Sequence, residues 1–166
     1  MFYTSTQSRV LIAVVLICVL QACGFKLRGA VELSSEMSPI YLQQNSVLGL
    51  GREIESLLVS NKIDLVDDEK HSKAQLVLLK EAKKRRVLSV DSDGQAREYL
   101  LSYAVTFSIK IGSAKAIEDK TSISRSLLYD TDAVLAVVNE SEVLYKEMRR
   151  DTARLILLKL QAQSSK

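Results

Sequence analysis

The chain has 166 residues, of which 47% are hydrophobic and 26% are charged, and its formal net charge is +3. These values are ordinary for a single globular domain with a real core. A charge so close to neutral gives no argument for a nucleic-acid partner, and we expect none.

The first predicted element is an export signal. Arg9 precedes eleven unbroken apolar residues, 10–20, and this run is too short to cross a bilayer as a helix, which takes about 20 residues. A basic flank, a short apolar run and a small residue before the cut are typical of a secretory signal peptide. The four residues that end at Cys23, Leu-Gln-Ala-Cys, resemble a bacterial lipobox, in which the cysteine is acylated and becomes the new N-terminus. The alternative is a plain membrane anchor, or an ordinary signal with a chance cysteine.

The lipobox sets the predicted domain organisation. Residues 1–22 form a lipoprotein signal peptide, residues 23–38 a lipid-anchored tether, and residues 39–163 a single α+β domain. Cys18 leaves with the signal and Cys23 carries the lipid, so the mature chain has no free thiol and no disulfide. The core must therefore be stabilised by packing alone.

The first half of the domain contains one helix between short strands. Residues 40–42 form a short apolar run, which predicts a strand. From Leu50 the apolar residues recur at helical spacing, with Ser46 as a possible N-cap and Asn61 at the end of the helix. Residues 63–66 return to strand character.

A long hairpin is predicted over residues 76–111. The turn Asp-Ser-Asp-Gly at 91–94 favours the positive φ that tight turns require. Beyond it, apolar side chains occupy every odd position of 99–111, which is the pattern of a half-buried strand. A strand of this length spans about 50 Å, so we expect a bend or a strand that protrudes beyond the sheet.

The remainder predicts one more strand and a final helix. Residues 112–120 are a polar connection and residues 121–129 a strand. Asn139 and Glu142 have the spacing of a capping box, which opens a helix that runs to about Gln161. The predicted fold class is α+β: a two-layer sandwich with two helices on one face of a four- to five-stranded sheet, including the long hairpin.

Catalysis finds little support in the residues. His71, the single histidine, lies in a polar run that reads as a solvated loop, so no catalytic pair of Ser-His or Cys-His type is predicted. The Gly-Leu-Gly at 49–51 lacks the context of a phosphate loop, and the acidic turns lack a calcium-ligand spacing. We therefore predict a non-enzyme with no catalytic residues, no metal and no cofactor.

The sharpest chemical feature is a run of four cations, Lys83, Lys84, Arg85 and Arg86. On a strand these side chains point two to each face, and Arg97 lies on the partner strand near them. Such groups suit phosphate or carboxylate in a lipid headgroup. They also suit a charge cluster that protects a strand edge from pairing, and the residues alone leave both interpretations open.

Three sequence blocks resemble one known family, the lipopolysaccharide (LPS)-assembly lipoproteins LptE. Residues 23–29, Cys-Gly-Phe-Lys-Leu-Arg-Gly, resemble the family's mature start. Residues 93–99, Asp-Gly-Gln-Ala-Arg-Glu-Tyr, resemble its hairpin turn, and the Lys-Glu-Met at 146–148 resembles a motif of its last helix. The blocks occur in the family's order, so the resemblance covers essentially the whole mature chain.

The resemblance implies partners rather than a reaction. Members of the family sit as a plug inside the outer-membrane β-barrel LptD, help it to assemble, and bind LPS on its way to the cell surface. The implied location is the outer membrane, with a lipid (palmitate) anchor on Cys23 and the domain in the periplasm or the barrel lumen. The alternative is an envelope scaffold without direct LPS binding.

Individual binding residues transfer poorly. Relatives are thought to contact LPS through basic residues beside the hairpin turn and before the last helix, and the corresponding positions here are Ser92 and Val137. Our hypothesis is that the four-cation run and Arg97, which flank the same turn, supply the charge instead.

Overall fold

The computed structural model describes residues 37–45, 47–130 and 134–164. The predicted signal peptide, Cys23, most of the predicted tether and Ser46 lie outside the described residues. The elements, in chain order, are β1 (Ile40–Gln43), α1 (Leu48–Ser60), β2 (Leu65–Val66), β3 (Ala74–Val90), β4 (Ala96–Ile111), β5 (Ile117–Leu128) and α2 (Val134–Ser164).

The strands form one mixed sheet in the order β2-β1-β3-β4-β5. β1 is parallel to β2 and β3, whereas β3, β4 and β5 pair antiparallel. The helices α1 and α2 contribute Leu50, Ile54, Met148 and Ile156 to a single core cluster with the sheet. Two helices on a five-stranded sheet confirm the predicted α+β fold class.

Strand β4 has the predicted alternation, because its side chains point in turn to the two faces of the sheet. Its odd residues from 101 to 109 are buried, and its even residues from 98 to 110 are half-buried. The buried side is packed under the helices, and we call the other side, which carries the even residues of β4, the open face. The sheet is thus covered on one side and polar on the other.

Strands β3, β4 and β5 extend beyond β1. β1 pairs only with the first four residues of β3, 74–77. Beyond them, the outer edge of β3 has no strand partner among the described residues. On the other side, β5 pairs with β4 over residues 98–109, so only the turn end of the hairpin projects beyond its neighbours, and the predicted protrusion is short.

A bulge in β3 changes which residues face the helices. Leu78 pairs with Phe107, but Lys80 pairs with Thr106, so Leu79 is an extra residue in the ladder. Such an insertion reverses the facing of the side chains that follow it. From 74 to 78 the even residues of β3 face the core, and from 81 to 87 the odd residues do. A second shift at Leu88 reverses the facing again, so Ser89 pairs with Glu98 on the open face.

Helix α1 is amphipathic, and a side-chain hydrogen bond caps its C-terminus but not its N-terminus. Leu50, Ile54 and Leu58 are buried, and the side-chain amide of Asn61 donates to the Leu57 carbonyl at 2.7 Å, which confirms Asn61 as the residue that ends the helix. At the N-terminus the cap is Val47, whose side chain makes no capping hydrogen bond.

Two predicted boundaries are wrong. Helix α2 begins at Val134, so Asn139 lies within the helix and the predicted capping box does not exist. Strand β5 begins at Ile117 rather than at residue 121, because residues 117–120 pair with β4 in spite of their polar sequence.

The start of β5 is joined to α2 by an ion pair. The Lys159 ammonium binds the Asp119 carboxylate at 2.7 Å and holds the pKa of that carboxyl below its ordinary value.

Candidate functional site

The register of the hairpin divides the four-cation run between the two faces of the sheet, as alternation predicted. Lys83 pairs with Tyr103 and Arg85 with Leu101, both buried, so these two cations lie on the helix side. Lys84 pairs with Ser102, and the next cation, Arg86, pairs with Leu100, so both lie on the open face.

The two cations on the helix side lie over aromatic rings. The Lys83 ammonium is 5.1 Å from the ring centroid of Tyr145, and the Arg85 guanidinium carbon is 4.7 Å from that of Tyr99. The Tyr145 hydroxyl also donates to the Lys84 carbonyl at 3.1 Å, and Tyr99 meets Tyr129 edge-on at 5.3 Å. Cation–π contacts at exposed sites stabilise by about 0.5–1 kcal/mol each. The contacts of Lys83 and of the Lys84 carbonyl with Tyr145 fasten β3 to α2, whereas Arg85 on Tyr99 joins β3 to β4.

The remaining cations are more available to a ligand. Within residues 37–45, 47–130 and 134–164, no carboxylate lies within ion-pair distance of Lys84, Arg86 or Arg97. Arg97 is exposed. It lies nearer the turn than residues 100–103, which pair with the basic run, and its backbone carbonyl accepts a hydrogen bond from the Tyr129 amide at 2.8 Å. The structure therefore gathers the cations on one hairpin without making one compact pocket of them.

Apolar side chains follow the basic run toward the tip of the hairpin. Val87, Leu88 and Val90 are 48%, 45% and 57% exposed. Sequence reasoning missed them as site residues, although the apolar run at 87–90 directly follows the cations. Exposed apolar groups beside cations form a surface that is complementary to an anionic amphiphile.

The turn that closes the hairpin is held by side-chain hydrogen bonds of Asp91. The Asp91 carboxylate accepts from the amides of Asp93 and Gln95, both at 2.9 Å. Gly94 has a φ of +78°, a backbone conformation that residues with a Cβ rarely adopt. The predicted Asp-Gly turn is confirmed.

Buried polar groups lie beneath the hairpin. The Tyr103 hydroxyl, the Arg149 Nε and the Thr152 hydroxyl are buried and have no hydrogen-bond partner among the described residues. Burial, followed by the nearby negative charge of Glu81, raises the pKa of Tyr103 well above its ordinary value. The fold therefore keeps this hydroxyl neutral, at a cost in desolvation.

We expect Tyr103→Phe to raise the free energy of unfolding by about 1 kcal/mol at neutral pH, because it removes a buried hydroxyl without a partner. Since the pKa is raised in the folded state, the wild-type chain should also lose stability as pH rises above about 10, where the unfolded chain ionises. Urea denaturation at pH 7 and pH 10.5 measures both effects. Tyr41→Phe, at a half-buried tyrosine, is the control. If Tyr103→Phe were less stable than the wild type, the Tyr103 hydroxyl would have a hydrogen-bond partner, and the prediction would be wrong.

Other candidate groups show no site. His71 is 76% exposed in a short 3-10 helix, with its Nδ1 3.2 Å from the Asp68 carboxylate. The described part of the chain holds no group of three or more histidine, cysteine, aspartate or glutamate side chains arranged for a metal. Of the helices described, none is both long and apolar enough to span a membrane.

Solved structures share this architecture. A rare lipoprotein B from Shewanella oneidensis matches with a TM-score of 0.71 and 28% identity, over 77% of this chain and 97% of that one. A lipoprotein B from Nitrosomonas europaea matches with a TM-score of 0.67 and 27% identity, over 86% and 93% of the two chains. The fold thus places the chain in a class of small α+β sandwich lipoproteins.

Sequence comparison identifies the family within that class. The LptE family model, described as lipopolysaccharide-assembly, matches residues 37–160. The chain is 25% identical over 145 residues to the LPS-assembly lipoprotein LptE of Photorhabdus laumondii, covering 87% of this chain and 80% of the relative. It is 26% identical over 146 residues to that of Yersinia pestis, covering 87% and 70%. The chain belongs to the LptE family, whose members are non-enzymatic envelope lipoproteins with a role in LPS assembly.

Proposed function

We propose that the protein is anchored in the outer membrane by an acylated Cys23, plugs and helps to assemble an LptD-like β-barrel, and binds LPS during its transport to the cell surface. Membership in an LPS-assembly family supports the general role. The finer parts of the proposal rest on the lipobox and on the surfaces of the domain.

The hairpin carries the proposed LPS contact. Lys84, Arg86 and Arg97 offer donors without competing carboxylates, while Lys83 and Arg85 are held over rings but keep exposed side chains. Cations of this kind bind phosphate and carboxylate oxygens. The exposed apolar residues that follow them on β3, Val87, Leu88 and Val90, fit the acyl chains of the same ligand. This pairing of charge and apolar surface is the observation that supports the proposal most strongly.

The open face supports the proposed plug. The even residues of β4 between 102 and 108 are small or hydroxylated and only half-buried. A polar sheet face can lie toward the polar lumen of a barrel, without packing on its wall, and expose little apolar area to water. The proposal therefore needs no large apolar interface.

The alternative is an envelope scaffold that does not bind LPS. It is favoured by the free outer edge of β3, since lysine and arginine along an unpaired strand prevent edge-to-edge pairing. On that interpretation the cations serve only to keep the chain from aggregating.

An LPS-binding measurement separates the two functions. In full-length protein held in mild detergent, alanine at Lys83, Lys84, Arg85, Arg86 and Arg97 should lower the affinity for LPS at least about tenfold, since several charge-assisted contacts are lost. The control removes the same charge from exposed cations elsewhere: Arg52, Lys62, Lys70, Lys73 and Lys115. Equal affinity of both variants and the wild type would exclude this site, and a wild type that does not bind would favour the scaffold.

Purification tests the barrel partner separately. Full-length tagged protein extracted from outer membranes with detergent should bring down a large β-barrel in stoichiometric amount. A chain that emerges alone, from membranes in which such a barrel is present, would contradict the plug.

A further inference from the structure

The open face carries a second cationic surface, which lies away from the hairpin tip. Lys80, Lys84 and Lys120 line a shallow groove of about 350 Å³ whose floor includes Ala82 and Ala104. We call it the lysine groove. Only Lys84 belongs to the four-cation run, so most of this charge comes from residues that the sequence pattern did not single out.

The register explains how the groove forms. Lys80 on β3, Thr106 on β4 and Lys120 on β5 lie in one row across the sheet. The next row toward the hairpin is Ala82, Ala104 and Ser122, and the row after it is Lys84, Ser102 and Ser124. Because neighbouring strands are about 4.8 Å apart, lysines on β3 and β5 stand about 10 Å apart across a floor of small side chains. That width accommodates one extended chain.

The charge of the groove is of one sign. No carboxylate occupies the three rows, because Glu81 and Asp119 pair with Val105 and Phe107 on the helix side. On the open face the nearest carboxylates are Glu118, one row beyond Lys120, and Glu98, whose Oε2 accepts from the Ser89 hydroxyl at 2.8 Å. The groove is therefore an uncompensated cationic strip between two acidic ends.

The composition of the groove favours an anionic saccharide over other ligands. Pockets for small molecules are mostly apolar and aromatic, and the groove has no aromatic residue. Protein interfaces depend on tryptophan, tyrosine and arginine and are depleted in lysine. Lysine ammonium groups with serine and threonine hydroxyls instead suit a ligand rich in anionic oxygens and hydroxyl groups.

The groove is continuous with the proposed binding site. Beyond Lys84, the next open-face cation on β3 is Arg86, and the exposed apolar residues Val87, Leu88 and Val90 follow it along the strand. An amphiphile with its acyl chains on these residues would therefore lay its headgroup along the groove.

We propose that the lysine groove binds the phosphate- or carboxylate-bearing saccharide of LPS, while the apolar residues before the hairpin turn contact its lipid part. The inference rests on the proposed function, because it takes LPS as the ligand. It assigns the sugar portion to Lys80 and Lys120, which lie outside the five cations of the hairpin site.

Binding of a delipidated, phosphorylated LPS oligosaccharide to the full-length protein in mild detergent tests the groove. Lys80→Gln with Lys120→Gln should lower the affinity about fivefold to tenfold, as expected for two exposed ion pairs, and should weaken its dependence on salt. The matched control is Lys73→Gln with Lys115→Gln, two exposed lysines at the opposite end of the sheet, which should change neither. A third variant, Ala104→Leu, fills the floor without changing the charge and should also lower the affinity.

The outcomes separate this inference from the proposed function. Wild-type affinity in both the lysine pair and the Ala104 variant would overturn the groove. The groove would also be overturned if the Lys80→Gln, Lys120→Gln variant bound the oligosaccharide normally but no longer co-purified with the barrel. These lysines would then contact protein and not a saccharide. A wild-type chain that fails to bind intact LPS would instead overturn the proposed function.

Discussion

Changing Cys23 to serine should abolish incorporation of labelled palmitate and remove the protein from the outer-membrane fraction. In the proposed lipobox the Cys23 thiol accepts a diacylglyceryl group, and a hydroxyl cannot replace it. Each methylene of a membrane-inserted acyl chain contributes about 0.8 kcal/mol, so loss of the chains removes nearly all of the anchoring free energy. Metabolic labelling followed by membrane fractionation measures both effects.

The second cysteine supplies a matched control. Cys18 lies within the apolar run of the predicted signal, so Cys18→Ser should leave labelling and location unchanged. If the Cys23 variant kept its label, the acylation site would lie elsewhere, and the predicted boundary after residue 22 would be wrong.

Phe107→Ala should lower the free energy of unfolding by about 3–5 kcal/mol, a large part of the 5–15 kcal/mol typical of a domain. Phe107 is fully buried on β4, where it pairs with Leu78 of β3 and Asp119 of β5. The Lys159 ammonium lies 5.7 Å from the centroid of its ring. Residues 37–164 contain no cysteine, so no disulfide crosses this core and only packing compensates for the cavity.

Urea denaturation followed by circular dichroism gives this change directly. The adjacent Ser108 lies on the open face, and Ser108→Ala should stay within about 0.5 kcal/mol of wild type. A small effect at Phe107 would mean that the buried face of β4 is not the stabilising one, which would contradict the assignment of the two faces.

Local patterns predicted the parts of the fold that depend on local chemistry. The alternation of 99–111 required a half-buried strand, and Asp-Gly required a tight turn. The start of α2 was missed because Val134, Leu135 and Val138 are exposed apolar residues that give no helical stripe. The start of β5 was missed because its polar residues are stabilised by partners distant in sequence, such as Lys159 on Asp119.

The candidate site was likewise predicted only where it depends on local sequence. Alternation predicted that the four cations point two to each face. Which pair faces the helices depends on the bulge at Leu79, since without it Lys84 and Arg86 would lie under α2. No signal in the local sequence marks that bulge. The rings of Tyr99 and Tyr145 are also too far along the chain from their cations for the pairing to be read from sequence.

The contacts of the hairpin with α2 have a consequence for the kinetics of binding. Lys83 on Tyr145 and the Tyr145 hydroxyl bond to the Lys84 carbonyl hold β3 against α2 before any ligand arrives, and Arg85 on Tyr99 joins the two strands of the hairpin. The conformational entropy of this hairpin is therefore lost during folding and not during association. A pre-organised hairpin captures its ligand at a rate set by diffusion and charge, without waiting for a mobile loop to close.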